Sequence, residues 1–336
     1  MAAQAELLET VAALAPHRDG WDALAVASGR PYCAPGWMLS WLREVAPPGA
    51  LLRACVAHDG RELVGIAPFW TLPEDGGGRY GLLGERTSSP VEPLCAAGRE
   101  PELAALFGEL LAEATPRPRE IELKGVPSDS AWPALLAERL SGNSGSVQRT
   151  RFEPLPRVGL RHSSMEGWLA TRSRNFRQQL RQGRRRLEEA GATFRASRQG
   201  DFDRDLASLA RLHHARWRPR GGSRAMDERV EAMLRRAARD LGEERVRLLA
   251  IDVDGVTISA HLFVRAGPVR GYWLGGFDDS WAACRPSLQV LATAVEEGIA
   301  AGEEWLELGP GGQEYKYRLA DSETGLDWVK LAGVPA

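Results

Sequence analysis

The stretch RVRLLAIDVDGVTISAHLFV, residues 245–264, decides how this chain folds. Its first half, to Val253, is rich in Val, Leu and Ile. Asp254-Gly255 then supplies two residues that tolerate the positive φ of a tight hairpin turn, and residues 256–264 return with Val256, Thr257, Ile258 and Val264. The same design stands earlier as LLRACVAHDGRELVGIAPFW, residues 51–70, where 51–58 run out, Asp59-Gly60 turns the chain and 62–70 come back.

The segments after the two hairpins match as well. A third strand-like stretch (80–83; 269–275) precedes an apolar helix (101–114; 287–301) and then a short strand (120–124; 304–308). The two last strands carry one pattern, Ile121-Glu122-Leu123 and Leu306-Glu307-Leu308. A repeated order of hairpin, strand, helix and strand predicts a duplicated α/β unit. Residues 141–157, with Ser-Gly-Asn-Ser-Gly and two prolines, read as the linker, so the expected domains are 1–150 and 158–336.

Length and charge agree with two ordinary folded domains. A chain of 336 residues supplies roughly 100 to 200 residues per domain, enough for two cores. Forty-three basic against 45 acidic side chains leave a net charge of -2, with no global attraction for nucleic acid or anionic lipid. Any polyanion site must be local. Cys33, Cys55, Cys95 and Cys284 show no C-x-x-C spacing and no histidine cluster, which argues against zinc and against a disulfide framework. His213-His214 on a helix point in different directions, so no metal is expected. Residues 1–20 hold Glu6 and Glu9 but no basic residue before His17, and no apolar run nears the ~20 residues of a membrane span; the expected setting is cytoplasmic.

Between linker and second hairpin lies a basic helix, 172–190. Phe176, Leu180, Leu187 and Ala190 form its apolar stripe, and Arg172, Arg174, Arg177, Arg181, Arg184, Arg185 and Arg186 crowd the rest. Two readings stay open: a solvated face partly paired with acids, or a dock for phosphates, whose oxygens suit arginine forks.

The run from Ser173-Arg174-Asn175-Phe176-Arg177 to Glu189-Ala190-Gly191 resembles the basic helix of the BioF2-like or CelD-like acetyltransferases of the GNAT superfamily. Pro35-Gly36-Trp37 with Trp41 and Leu63 to Pro68, Leu274-Gly275-Gly276-Phe277-Asp278, and Glu314-Tyr315-Lys316-Tyr317 are similar to that family in the same order, from about Pro31 to Leu331. The resemblance implies two tandem GNAT-like (acyl-CoA N-acyltransferase) domains, as also in the FemABX-type transferases that draw aminoacyl groups from tRNA. It implies transfer of an acyl group, usually to an amine.

Such transfer needs a seat for the donor's phosphates, hydrogen bonds to the carbonyl, a base for the amine and an acid for the leaving group. In GNAT-like folds the phosphates meet the helix after the central strand, here beginning at Arg285-Pro286-Ser287. The usual Gly-rich phosphate loop is absent, and Ser287 is open to a second reading as a helix cap. Gly275 and Gly276 allow a ligand to approach the backbone, or mark a strand end or bulge. Asp278 could orient or deprotonate an amine, or simply be solvated. Lys316 resembles the lysine that in FemABX-type enzymes offsets the charge of the tetrahedral intermediate; its other reading is a surface lysine on a turn. Tyr315 or Tyr272 could protonate the leaving group, and Glu307 could line the cleft as a base or face outward. His261 on the returning strand lines the cleft or is a hydrogen-bonded structural group. The first domain lacks a Tyr-Lys pair and is expected to wall the acceptor pocket through Trp37, Trp70 and Arg86, with Arg177 and Arg181 also contacting substrate.

Three functions compete. The first is an acyl-CoA-dependent N-acyltransferase acting on an amine of a small molecule, sugar or peptide. The second is a FemABX-type transferase fed by aminoacyl-tRNA. The third is a non-catalytic binding protein of a polysaccharide or natural-product pathway.

Overall fold

The computed structural model describes residues 3–73, 78–141, 146–223 and 225–332. Its strands are β1 (Gln4–Leu8), β2 (Leu51–Asp59), β3 (Glu62–Thr71), β4 (Arg79–Leu82), β5 (Leu94–Cys95), β6 (Glu120–Pro127), β7 (Val147–Gly159), β8 (Thr193–Ala196), β9 (Val246–Val253), β10 (Val256–Ala266), β11 (Val269–Phe277), β12 (Trp305–Glu307) and β13 (Ser322–Ala332). Its helices are α1 (Val11–Leu14), α2 (Arg18–Ala27), α3 (Pro35–Glu44), α4 (Glu100–Glu113), α5 (Trp132–Ser141), α6 (Met165–Ala170), α7 (Arg174–Glu189), α8 (Phe202–Trp217), α9 (Glu228–Leu241), α10 (Pro286–Ala300) and α11 (Glu314–Tyr317). The chain divides into two compact units, Met1–Pro154 with Thr324–Ala336, and Leu155–Glu323.

In the first unit the strand order is β1-β2-β3-β4-β6-β13, antiparallel except where β4 meets β6. Asp59 pairs with Glu62, so the turn is Gly60-Arg61, one residue later than the Asp-Gly signal suggests. Gly60 alone has positive φ there, the type II′ pattern, whereas Asp254 and Gly255 are both positive, the type I′ pattern. Both suit the right-handed twist of the strands they join. Helix α4 turns Leu103, Ala104, Phe107 and Leu111 into the core, where the Phe107 ring stacks on Trp132 at 6.0 Å.

The second unit repeats the plan. Its order is β7-β12-β11-β10-β9-β8, again antiparallel except at one step, β11 with β12. The correspondence reaches single residues. Gly81 is the register partner of Glu122, and Gly271 is that of Glu307. The next strand then sets a cation opposite each acid: Lys330 pairs with Glu122, Nζ to Oε1 3.0 Å, and Arg157 with Glu307, Nε to Oε1 3.7 Å.

Those two outer strands correct the expected boundaries. The proposed linker 141–157 is largely β7; its Ser-Gly run at 142–145 lies outside the described residues. Proline did not bar a strand here, because Pro156 lends only its carbonyl, to the Leu308 N–H at 2.9 Å. The second domain does not extend to 336. The chain's last strand, β13, pairs with β6 from Leu326 opposite Pro127 to Ala332 opposite Glu120, and buries Val329 and Leu331 in the first unit's core. Each unit's sheet therefore ends on a strand distant from its neighbour in sequence.

Candidate functional site

In the second unit the one parallel ladder is short. Strand β11 pairs with β12 only over Val269, Arg270 and Gly271, while its other edge follows β10 as far as Phe277. The ladder stops at Gly271 because β12 ends at Glu307, and the turn that follows passes the Tyr272 carbonyl at Gly309, where a Cβ would lie 3.1 Å from it. A bulge governs which side chains arrive there. The register steps from Leu262 opposite Leu274 to Phe263 opposite Tyr272, so Trp273 is the extra residue. That slip turns Tyr272 onto the same face as Gly275, together with His261 and Phe263.

On this face the Tyr272 ring stacks on His261 at 5.4 Å and leans on Phe263 at 5.5 Å. His261 is 1% exposed. Its Nε2 lies 3.2 Å from the Ser287 hydroxyl, and its Nδ1 has no partner among the described residues. Burial, with a smaller contribution from Arg216, pushes the imidazole down to about 3, so it is neutral at physiological pH. Gly275 is required here because a Cβ would lie 2.2 Å from His261 Nδ1 and 2.6 Å from the Tyr272 hydroxyl. Gly276 serves the opposite face, where a Cβ would meet the His213 backbone nitrogen at 2.8 Å; it lets α8 lie directly on the strand. The glycine pair thus makes room for protein groups on both faces.

Helix α11 closes one side. Lys316 is 4% exposed, and its Nζ donates to the carbonyls of Gly309 and Pro310 at 2.9 and 2.8 Å. It is therefore not the surface lysine of the alternative reading, although its neighbours Tyr315 and Tyr317 are 42% and 47% exposed. Two of its three N–H groups hold the loop after β12, and burial pushes the ammonium down to about 8. Desolvation pushes the Tyr315 pKa above the usual phenol value, against smaller lowering effects of Arg216 and Tyr272, which favours the neutral form. Tyr317 bonds instead to Glu323.

Other expected residues stand apart from this cluster. Glu307 shares the face of Gly271, opposite that of Tyr272, and is buried against Arg157, whose guanidinium covers Trp305 at 4.3 Å. It is not placed to line the cleft beside Tyr272. Asp278 accepts from the Ser280 amide at 2.9 Å and hydroxyl at 2.7 Å, and these bonds hold its carboxyl below the usual range, which makes it a turn cap and a weak base. Arg285 begins α10 with φ +52° and no side-chain cap, while Ser287 spends its hydroxyl on His261.

Along α7, Arg177 donates to the Arg172 carbonyl at 2.6 Å and so finishes the turn after α6. Arg184 pairs with Glu188 and covers Phe194 at 3.5 Å; Arg172 pairs with Asp321. A concavity of about 620 Å³ runs beside the helix, lined by Arg174, Arg177, Gln178, Arg181, Gln182 and Arg185, with no acid among the described residues. In the first unit, Trp37 is fully buried with Nε1 2.7 Å from the Ser88 hydroxyl, and Trp70 packs on Trp41 at 5.8 Å. Both tryptophans are core groups, not pocket walls. Arg86 is exposed at φ +66° and 4.0 Å from Glu85.

Sequence reading missed Arg216. In the last turn of α8, its guanidinium carbon lies 4.4 Å from the ring centre of Phe277, and its charge bears on His261 and Tyr315. Among the described residues no cluster of His, Cys, Asp and Glu fits a metal, and no helix is long and apolar enough to cross a membrane.

Residues 174–317 match the family model described as the acetyltransferase (GNAT) domain. No curated protein matches the chain. The fold is similar to that of FemX, with a TM-score of 0.70 at 12% identity over 98% of this chain and 97% of that one. L-PGS from Bacillus licheniformis gives 0.59 at 11% over 96% and 93%, and a tandem GNAT protein from the clavulanic acid biosynthesis pathway gives 0.51 at 14% over 99% and 100%. Residues 174–317 are thus similar to the acetyltransferase (GNAT) domain, and the chain as a whole shares its fold with FemX.

Proposed function

We propose that the chain transfers an acyl group from acyl-CoA to an amine of a small molecule, sugar or peptide, at the Tyr272 face of the second unit. The observation that carries this reading is the end of the β11–β12 ladder at Gly271 within the region that matches the GNAT domain. The thioester carbonyl, and the oxyanion that forms when the amine nitrogen attacks it, then lie against the strand end at Gly275 and Gly276. As the C–S bond breaks, the hydroxyl of Tyr315 or Tyr272 gives a proton to the thiolate and regains one from the attacking nitrogen. Lys316 is a positioning residue that holds the Gly309–Pro310 turn beside the strand. Calorimetry with acetyl-CoA and longer acyl-CoAs tests the reading, and it fails if none binds at ~1 mM or tighter.

A second reading, an aminoacyl-tRNA donor, is favoured by the acid-free arginine concavity along α7. A phosphodiester chain neutralised by several arginines gives affinity that falls steeply with salt. Retention of tRNA unchanged between 50 and 200 mM salt, or no retention, removes it.

A further inference from the structure

We propose that His261 is a catalytic residue of the transfer, its Nδ1–H donating to the carbonyl oxygen of the bound thioester and to the oxyanion that replaces it. This rests on reading the Tyr272 face as the transfer site. Geometry comes first. The ring is 1% exposed, yet its Nδ1 has no partner among the described residues. His261 is the register partner of Gly275, and a Cβ on that glycine would stand 2.2 Å from Nδ1 and 2.6 Å from the Tyr272 hydroxyl. The unmatched nitrogen is therefore directed at the strand end against which the carbonyl lies in that reading. Gly275, Tyr272 and Ser287 around it are only partly buried, so the ring edge lies directly beneath groups that meet solvent.

The other nitrogen decides where the proton sits. Nε2 is 3.2 Å from the Ser287 hydroxyl, in the first turn of α10, and no other acceptor for that hydroxyl is found among the described residues. A neutral imidazole has one N–H and one bare nitrogen, so when Ser287 donates to Nε2 the ring's proton is on Nδ1. A buried N–H without an acceptor is unfavourable until one arrives, and a carbonyl oxygen is such an acceptor. Burial, with a smaller contribution from Arg216, keeps the ring neutral, and a neutral imidazole polarises a carbonyl without surrendering a proton. The bond from Ser287 draws charge from Nε2 and makes Nδ1–H the better donor. Tyr272, stacked on the ring at 5.4 Å, fixes its plane. As the amine nitrogen attacks, the carbonyl π electrons move onto oxygen, and they return as the C–S bond breaks. His261 keeps its proton throughout, and its hydrogen bond is stronger to the oxyanion than to the carbonyl, so it favours the transition state.

Two measurements test the assignment. Nitrogen NMR of the free protein, labelled at its histidine rings and with His261→Asn identifying the signal, should find the His261 proton on Nδ1 and Nε2 bare. Infrared difference spectra of bound acetyl-CoA, isotope-labelled at the acetyl carbonyl, should place the thioester band below its position in buffer. His261→Leu, which has no donor, should lose most of that displacement, and H261N, which keeps an N–H close to the place of Nδ1, should retain at least half of it. A proton on Nε2, a carbonyl band unmoved from buffer in the native complex, or one equally displaced in H261L each overturns the assignment. Melting temperatures guard against misfolding; if H261L does not fold, the tautomer and H261N decide. Failure of acetyl-CoA to bind counts against the acyl-CoA reading and is seen separately, since the tautomer is read on the free protein.

Discussion

His261 Nε2 stands 3.2 Å from the Ser287 hydroxyl, joining β10 to the first turn of α10 from inside the sheet's covered face. The ring is neutral there, driven from 6.5 to about 3, whereas an unfolded chain would protonate it below 6.5. Between those values the unfolded state binds the extra proton, so stability falls as pH drops, by about 1.4 kcal/mol per unit for one group. His213, driven by burial to about 4, adds to the slope over part of the same window. Urea midpoints at pH 7 and 5 should therefore differ more for the native chain than for His261→Asn. A variant that keeps the full slope would show that His261 is not held neutral.

Lys316 predicts opposite trends for activity and stability. Its ammonium is driven from 10.5 to about 8, so as pH rises through 8 the charge that strengthens the bonds to Gly309 and Pro310 is lost and kcat should fall. Over the interval from 8 to 10.5 the unfolded chain holds a proton that the folded one has released, and this group then adds stability with rising pH. Lys316→Arg, charged throughout, should lose the falling limb near 8. Lys316→Met should lower kcat tenfold or more as the loop loosens; a native pH-rate profile in K316R together with native kcat in K316M would sink the clamp.

The arginines of α7 should separate by their contacts. Arg174, Arg181 and Arg185 line the concavity, and changing all three to glutamine should raise the KM of a phosphate-bearing donor severalfold and flatten its salt dependence. Arg177→Gln instead unties the turn after α6 and should cost about 1–2 kcal/mol of stability. Unchanged kinetics in the triple variant would return the stripe to a solvated face.

Much of this fold was legible because local chemistry determines it. Asp254-Gly255 forces a turn wherever it lies between β-branched runs, and the spacing of Leu103, Phe107 and Leu111 shows an apolar face before any partner is known. Partner choice was not legible. Leu326, Val329 and Leu331 mark a strand but carry no sign that it belongs beside β6, some two hundred residues earlier. The site divides in the same way. His261 was visible as a polar residue on a strand, Tyr272 as a possible proton donor and Lys316 by resemblance, yet the bulge at Trp273 that aligns Tyr272 with His261 is a matter of register. Trp37 and Trp70 looked like pocket walls because burial cannot be read from an aromatic side chain alone. Arg216 was hidden because its position depends on how closely α8 approaches Gly276.

The strand exchange gives the last prediction. If β13 completes the first unit's sheet, a chain ending at Asp321 should lose order in the first unit, although the deletion lies after the second in sequence. Removing β13 strips β6 of its antiparallel partner from Glu120 to Pro127 and takes Val329 and Leu331 out of the core formed by Leu103, Phe107 and Ile121. Each buried aliphatic side chain is worth about 2–5 kcal/mol on truncation to alanine, and a domain is held by only about 5–15 kcal/mol in total. Loss of both groups and of a full ladder is therefore enough to open the unit. Hydrogen exchange reports it locally: amides of β4, β6 and α4 should exchange far faster in the shortened chain, while those of β9, β10 and α10 keep most of their protection. Point substitution gives the graded form, since Leu331→Ala should weaken protection on β6 in preference to β10. Equal loss in both regions, or full protection of β6 without β13, would contradict the assignment of that strand to the first unit.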